Sequence, residues 1–185
     1  MPFFHENRSN AMFQWVYTRS WTDILCMVAG CILLWAYLRT VCREILWKAV
    51  NSVFWVVWLA VVLIVTVASR TPDPVKHVPS LIPFSQLYRY FTGANPEIMR
   101  TAAMNVLLFI PHGIFASQLY TRRHALAVVV SAGLFISTGI EILQGIGMLG
   151  LAETDDVIAN TLGSLAGGSI GVWIQRNIHP TENHM

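Results

Sequence analysis

Five long apolar runs, from which Asp, Glu, Lys and Arg are almost wholly excluded, constrain this chain more than any other feature. They are Ile24 to Leu38, Val50 to Ala68, Thr101 to Leu119, Ala125 to Leu143 and Val157 to Ile174. An α-helix needs about 20 such residues to cross a hydrocarbon core of roughly 30 Å. In that medium the backbone N–H and C=O groups must be satisfied within the segment, so runs of this length fold as helices. The expected fold is an all-α, polytopic bundle of five transmembrane spans. Charged residues make up 12% of the chain and hydrophobic ones 55%. Soluble domains carry about 25% charged residues, which excludes an ordinary water-soluble fold. The first run is the shortest, with fifteen residues between Asp23 and Arg39; Trp21 and Thr22 extend it, and both charges can snorkel outward.

Met1 to Thr22 mixes Glu6, Arg8 and Arg19 with aromatics and contains no apolar h-region, so the first span is expected to stay as a mature helix. The chain then divides into an amino-terminal segment with an added span and a basic loop (1–49), a transmembrane domain (50–175) and a short tail (176–185). The formal charge of +2 is spread singly or in pairs beside the spans, a pattern that sets topology and does not suit nucleic acid. Cys26, Cys31 and Cys42 are odd in number and show no CxxC or ligand spacing, so they read as apolar filler.

Five spans place six Lys and Arg residues on each side. Density breaks the tie, because Arg39, Arg43 and Lys48 crowd one short loop and Arg122 and Arg123 share a tight turn. Tight basic loops belong in the cytoplasm. The amino terminus and the Arg70 to Arg100 segment then face outward, with the carboxyl tail inside. The outer segment opens on Thr71-Pro-Asp-Pro, which resists helix and should leave the membrane extended. Pro83 suits a first helical position, and Phe84, Leu87, Tyr88 and Phe91 follow on one face. This predicts a short interfacial helix over Pro83 to Phe91, acting as a membrane anchor or as a lid over a site.

The chemistry-bearing residues lie at the ends of three spans. Glu141 and Gln144 stand at i and i+3, with Ser137 and Thr138 one turn earlier. A carboxylate inside a membrane helix costs several kcal/mol unless it finds partners or water, so its presence points to a site in the bundle interior, against the alternative of a boundary group snorkelling into headgroups. Burial would suit it to acid or base work. After the link Gly145 to Gly150, Glu153-Thr154-Asp155-Asp156 opens the fifth helix. Capping by Thr154 or Asp155 explains part of this cluster. Asp156 shares a face with Asn160 and Ser164, beside a Gly163, Gly167, Gly171 ridge suited to close helix packing. Span three carries Asn105 and, deeper, Pro111-His112-Gly113, where the proline predicts a bend; His112 is either a titrating ligand or a hydrogen-bonded core residue. By chain direction, Asn105, Glu141, Gln144, Asp156 and Asn160 all end near the outer surface. One polar pocket covered by the Pro83 to Phe91 helix is expected there. No phosphate loop, HExxH or nucleophile elbow is present. Glu141, Asp155 and Asp156 could supply oxygen ligands to a hard cation, yet no metal or cofactor is expected.

At these residues the chain resembles the VanZ-like family, named for a teicoplanin-resistance membrane protein. The resemblance runs from about Val50 to Ile174. It rests on Ile82-Pro-Phe, Asn105-Val-Leu-Leu-Phe-Ile-Pro-His-Gly113, Glu141-Ile-Leu-Gln144 and Asp155-Asp-Val-Ile-Ala-Asn160-Thr-Leu-Gly163 in that order. The family pattern usually carries an Arg where this chain has Gly150, an Asp where it has Glu153 and an aliphatic residue at His112; Arg100 is a candidate substitute for the missing cation. The resemblance implies a four-helix core to which the first span is an addition. It also implies a cell-envelope protein that lowers susceptibility to lipoglycopeptide antibiotics. On that reading it acts on or binds a lipid-linked or antibiotic ligand at the outer leaflet, with Glu141 and Asp156 as anchors or acid and base, and Asn105, Gln144, Asp155, Asn160 and His112 lining the site. A transporter or flippase-like component using an intramembrane carboxylate is the second hypothesis, and a purely structural role for the acids and glycines is the third.

Overall fold

The computed structural model describes residues 21–68, 70, 72, 80–93, 97–120, 122–150 and 152–178. Six α-helices follow in order: α1 (Trp21–Val41), α2 (Glu44–Leu63), α3 (Ser85–Phe91), α4 (Glu97–Ser117), α5 (Arg122–Ile146) and α6 (Thr154–Ile178). A π-helical turn, Ile64–Ala68, prolongs α2. Five of these helices are long and apolar enough to span a bilayer: Thr22–Val41, Leu46–Ala68, Ile98–Ser117, His124–Ile146 and Thr154–Asn177. All five spans expected from the sequence are present, most extended past the uncharged run. The snorkelling residues Asp23 and Arg39 lie inside α1, and Asp155 and Asp156 inside α6. The opening Thr71-Pro-Asp-Pro lies outside the described residues except for Pro72.

Helices α4 and α6 form the most intimate pair, and the glycine ridge is the reason. Gly163, Gly167 and Gly171 lie over the backbone of Val106, Ile110 and Ile114, three positions one turn apart on α4. A Cβ at Gly167 would sit 2.8 Å from the Ile110 carbonyl carbon, and one at Gly113 would sit 2.5 Å from the Gly168 nitrogen. Small residues on both helices therefore let the backbones approach, which is how membrane helices associate without a hydrophobic drive. Pro111 stands inside α4, which continues through it to Ser117.

Three aromatic residues and a valine fill the space between α2 and α4: Trp58, Phe109, Phe115 and Val62 are all buried. Trp58 Nε1 donates to the Leu108 carbonyl at 2.8 Å. The added helix α1 is fastened to this core by a polar relay, in which Trp35 Nε1 donates to Asn51 Oδ1 and Asn51 Nδ2 donates to the Phe115 carbonyl, each at 2.9 Å. Away from the core, Phe135 and Trp173 stay exposed, 75% and 65%, where acyl chains would solvate them.

The short helix differs from expectation at its start. Pro83 is not its first helical residue; the helix begins at Ser85, and Phe84 takes a left-handed conformation with φ 62°. An L side chain rarely adopts that geometry without outside support, and the support comes from the site described next.

Candidate functional site

The ends of α2, α4, α5 and α6 meet beneath α3, and four carboxylates gather there. Glu141 on α5 is 7% exposed and Asp156 on α6 is 5% exposed. Asp156 lies close enough to Glu141 for its charge to act there. Glu141 Oε2 accepts the backbone N–H of Glu153 at 2.8 Å, so the acid on α5 fixes the entry of the chain into α6. One turn further, Gln144 Nε2 donates at 2.8 Å to the carbonyl of Thr66 in the last turn of span two. Helix ends leave such carbonyls without an internal partner, and Gln144 meets that need across the bundle. On the other side Asn160 Nδ2 bonds Ser137 Oγ at 2.8 Å. The stripe Ser137, Glu141, Gln144 thus faces the stripe Asp156, Asn160, Ser164, and every one of these six is buried. Asn105 on α4 turns its amide toward Asp156. Thr138 belongs to the opposite side: it is exposed and bonds the Leu134 carbonyl of its own helix.

Asp155 does not cap the helix it opens. Its carboxylate instead receives the backbone N–H groups of Phe84 and, at 2.6 Å, Gln86, and so caps α3 from about seventy residues away. This supplies the missing support for the left-handed Phe84, because two amide donors at the start of α3 converge on one charged acceptor. Gln86, only 6% exposed, points down from α3. Its Nε2 donates to Glu153 and, at 3.3 Å, to Asp156. A single parallel bridge between Ser80 and Glu153 completes the attachment, with Ser80 N to the Ala152 carbonyl at 2.9 Å and Thr154 N to the Ser80 carbonyl at 3.1 Å. Glu153 is half-buried, and burial, followed by the charge of Asp156, raises its pKa above the usual 4.5.

Arg89 on α3 acts on Glu153, and the cation that acts on Glu141 and Asp156 is Arg70. Its guanidinium lies against Gly150, where a Cβ would come within 2.6 Å of Nη1. Gly150, at φ +144° and without a side chain, makes the room that Arg70 fills. Arg70 therefore stands beside the position where an Arg was expected.

His112 lies elsewhere. It is fully buried and accepts the Trp55 indole N–H on Nδ1 at 3.1 Å, with Phe109 edge-on to its ring. Neither His112 nitrogen bonds a residue of the carboxylate niche. Among the described residues no group of three His, Cys, Asp or Glu side chains converges to hold a metal ion. Cys26, Cys31 and Cys42 are free thiols.

Gln86, Arg70, Asn51 and Trp35 escaped the sequence reading. Asn51, a lone amide near the start of an apolar run, carried a signal of its kind: an isolated polar residue in a span needs a partner. Gln86 sat opposite the aromatic face of a helix read only for that face. Arg70 reaches across a loop, and no periodicity announces such a contact.

Fold and site together define a small polytopic membrane protein with a carboxylate niche beneath the short helix α3. The VanZ/LLP1 family model matches residues 49–175, and the chain belongs to that family. No curated protein and no solved structure matches it.

Proposed function

We propose that this VanZ-like protein holds a lipid-linked or lipoglycopeptide ligand at the outer leaflet and thereby lowers susceptibility to teicoplanin-type antibiotics. Glu141 and Asp156 are the anchoring groups, or the acid and base if the ligand is chemically changed. Asn105, Gln144 and Asn160 orient it, and Asp155 sets the position of the covering helix. The observation that carries this reading is the burial of two carboxylates from different spans under a helix docked through its own backbone amides. Ionised groups withdrawn from water cost several kcal/mol each unless partners offset the loss, so two of them kept inside a membrane bundle point to a functional site. In this orientation the crowded basic residues Arg39, Arg43, Arg122 and Arg123 face the cytoplasm.

Glu141→Gln keeps the shape of the side chain and removes its charge. Cells expressing it should lose the difference in teicoplanin susceptibility conferred by the wild-type chain, with insertion and membrane level unchanged. Unaltered susceptibility in a normally inserted variant contradicts the proposal. Solute uptake that depends on a proton gradient and fails in Glu141→Gln would support transport in its place.

A further inference from the structure

The niche is short of hydrogen-bond donors, and that imbalance indicates what it binds. Gln144 Nε2 donates to a backbone carbonyl, which can only accept, so the free atom of this amide is Oε1. Gln144 is 1% exposed, and Oε1 has no partner. It lies one turn from Glu141 on the same helix face. Oε1 of Gln86 and Oδ1 of Asn160, on residues that are also buried, are unpartnered as well, against one unpartnered donor, Asn105 Nδ2, on the amide turned toward Asp156. Buried acceptors without donors are rare in folded proteins, and each one calls for an explanation. Carboxylates from Glu141, Glu153 and Asp156 add further acceptor capacity around them.

One group already in the niche shows what these acceptors select. The Gln86 amide nitrogen hangs from α3 between Glu153 and Asp156 and donates to both. It is a nitrogen with two hydrogens, received by two carboxylates, on a short helix that rests on the bundle surface. Among the described residues no three His, Cys, Asp or Glu side chains are placed to hold one metal ion, whereas Glu153 and Asp156 are spaced to receive one N–H donor group between them. Two guanidinium groups act on these acids, Arg70 on Glu141 and Asp156 and Arg89 on Glu153; Arg70, set against Gly150, offers a planar fork that suits a phosphate. The depth is that of lipid headgroups: α3 and the residues before it expose Leu81, Ile82, Tyr88 and Phe91 by 71–76%, as a helix lying in the interface does.

We infer that the niche takes a primary ammonium adjoining a phosphate, as in an aminophospholipid headgroup, with the ammonium replacing the Gln86 amide between Glu153 and Asp156. Gln86 is then an internal occupant that the ligand displaces, and the phosphate lies toward Arg70. This inference rests on the niche being an outer-leaflet ligand site. A quaternary ammonium has no N–H to give and is discriminated against.

The full chain, purified and reconstituted in phosphatidylcholine nanodiscs doped with phosphatidylethanolamine, is assayed for retained lipid by native mass spectrometry, with melting temperature read in parallel. Wild type should retain phosphatidylethanolamine over phosphatidylcholine by about tenfold, the ratio expected of one charge-assisted hydrogen bond. Gln86→Ala removes the internal competitor and should raise that ratio several-fold. Gln86→Lys tethers an ammonium in the same place and should abolish the preference while raising the melting temperature. Glu153→Gln with Asp156→Asn should also abolish it. No preference in wild type overturns the inference. So does a joint loss of preference and melting temperature in both Gln86 variants, since that is the behaviour of a packing residue. Soluble phosphoethanolamine that competes fully assigns the chemistry to a free headgroup, and failure to compete while the lipid preference persists assigns it to the lipid. If the preference is absent yet Glu141→Gln still changes antibiotic susceptibility, the ammonium falls and the niche stands; if both are silent, both fall.

Discussion

Asp155 and Glu153 show how two acids side by side take different roles from their surroundings. Asp155 is used up by the amides of Phe84 and Gln86, so its worth is that of a charged acceptor for two donors. Asp155→Ala should loosen α3 by about 1–3 kcal/mol, seen as faster amide exchange over residues 84–91 with exchange in α4 and α6 unchanged. Glu153 is half-buried beside Asp156, and its pKa is raised. A folded-state acid with a raised pKa holds its proton more tightly than the unfolded chain does. The stability it contributes is therefore complete below about 4.5, its ordinary value, and is lost as pH rises through the folded value. Protonated Glu153 also gains an O–H that the free Oε1 of Gln86 can accept. Melting temperature should accordingly fall as pH is raised above that range, and Glu153→Gln should flatten the dependence and stabilise the protein at neutral pH. The common face of Glu141 with Gln144, and of Asp156 with Asn160, was legible from helical spacing alone. The destination of the Asp155 carboxylate was not, because capping rules describe a residue's own helix and this one serves another.

At the scale of elements, the five spans were readable because lipid forbids charge over a fixed length, and that rule needs no knowledge of tertiary structure. Their ends were less readable, since a snorkelling Arg or Asp lets a helix run a turn past the uncharged run. The short helix α3 was legible as an aromatic face and misread at its start. Pro83 fits a first helical position, but the left-handed Phe84 held by Asp155 shifts the beginning to Ser85. The glycine ridge of α6 was legible as a packing surface, and α4 is the partner it packs on. Gly167→Ala puts a methyl group against the Ile110 backbone, which cannot retreat as a side chain would. A loss of about 1–3 kcal/mol is expected from overpacking, measured as a lower melting temperature in detergent; Gly30→Ala, where nothing lies within 4 Å, should leave it unchanged.

Across the whole molecule, α1 joins the remaining helices through Trp35 and Asn51, whereas the family match begins at residue 49. The niche is built by the matched region alone, from the end of α2 to the start of α6. Its closure depends on three attachments of the outer segment: the Ser80 bridge, the Asp155 cap and the Gln86 side chain. The central claim is that this segment lies on the carboxylates in the membrane, and cysteine cross-linking tests it most directly. With Cys26, Cys31 and Cys42 replaced by Ala, the pair Gln86→Cys and Glu153→Cys should form a disulfide rapidly in native membranes under mild oxidation. The pair Tyr88→Cys and Glu153→Cys, with Tyr88 on the 72% exposed outer face, should not. Equal cross-linking of the two pairs, or none in the first, would contradict the account.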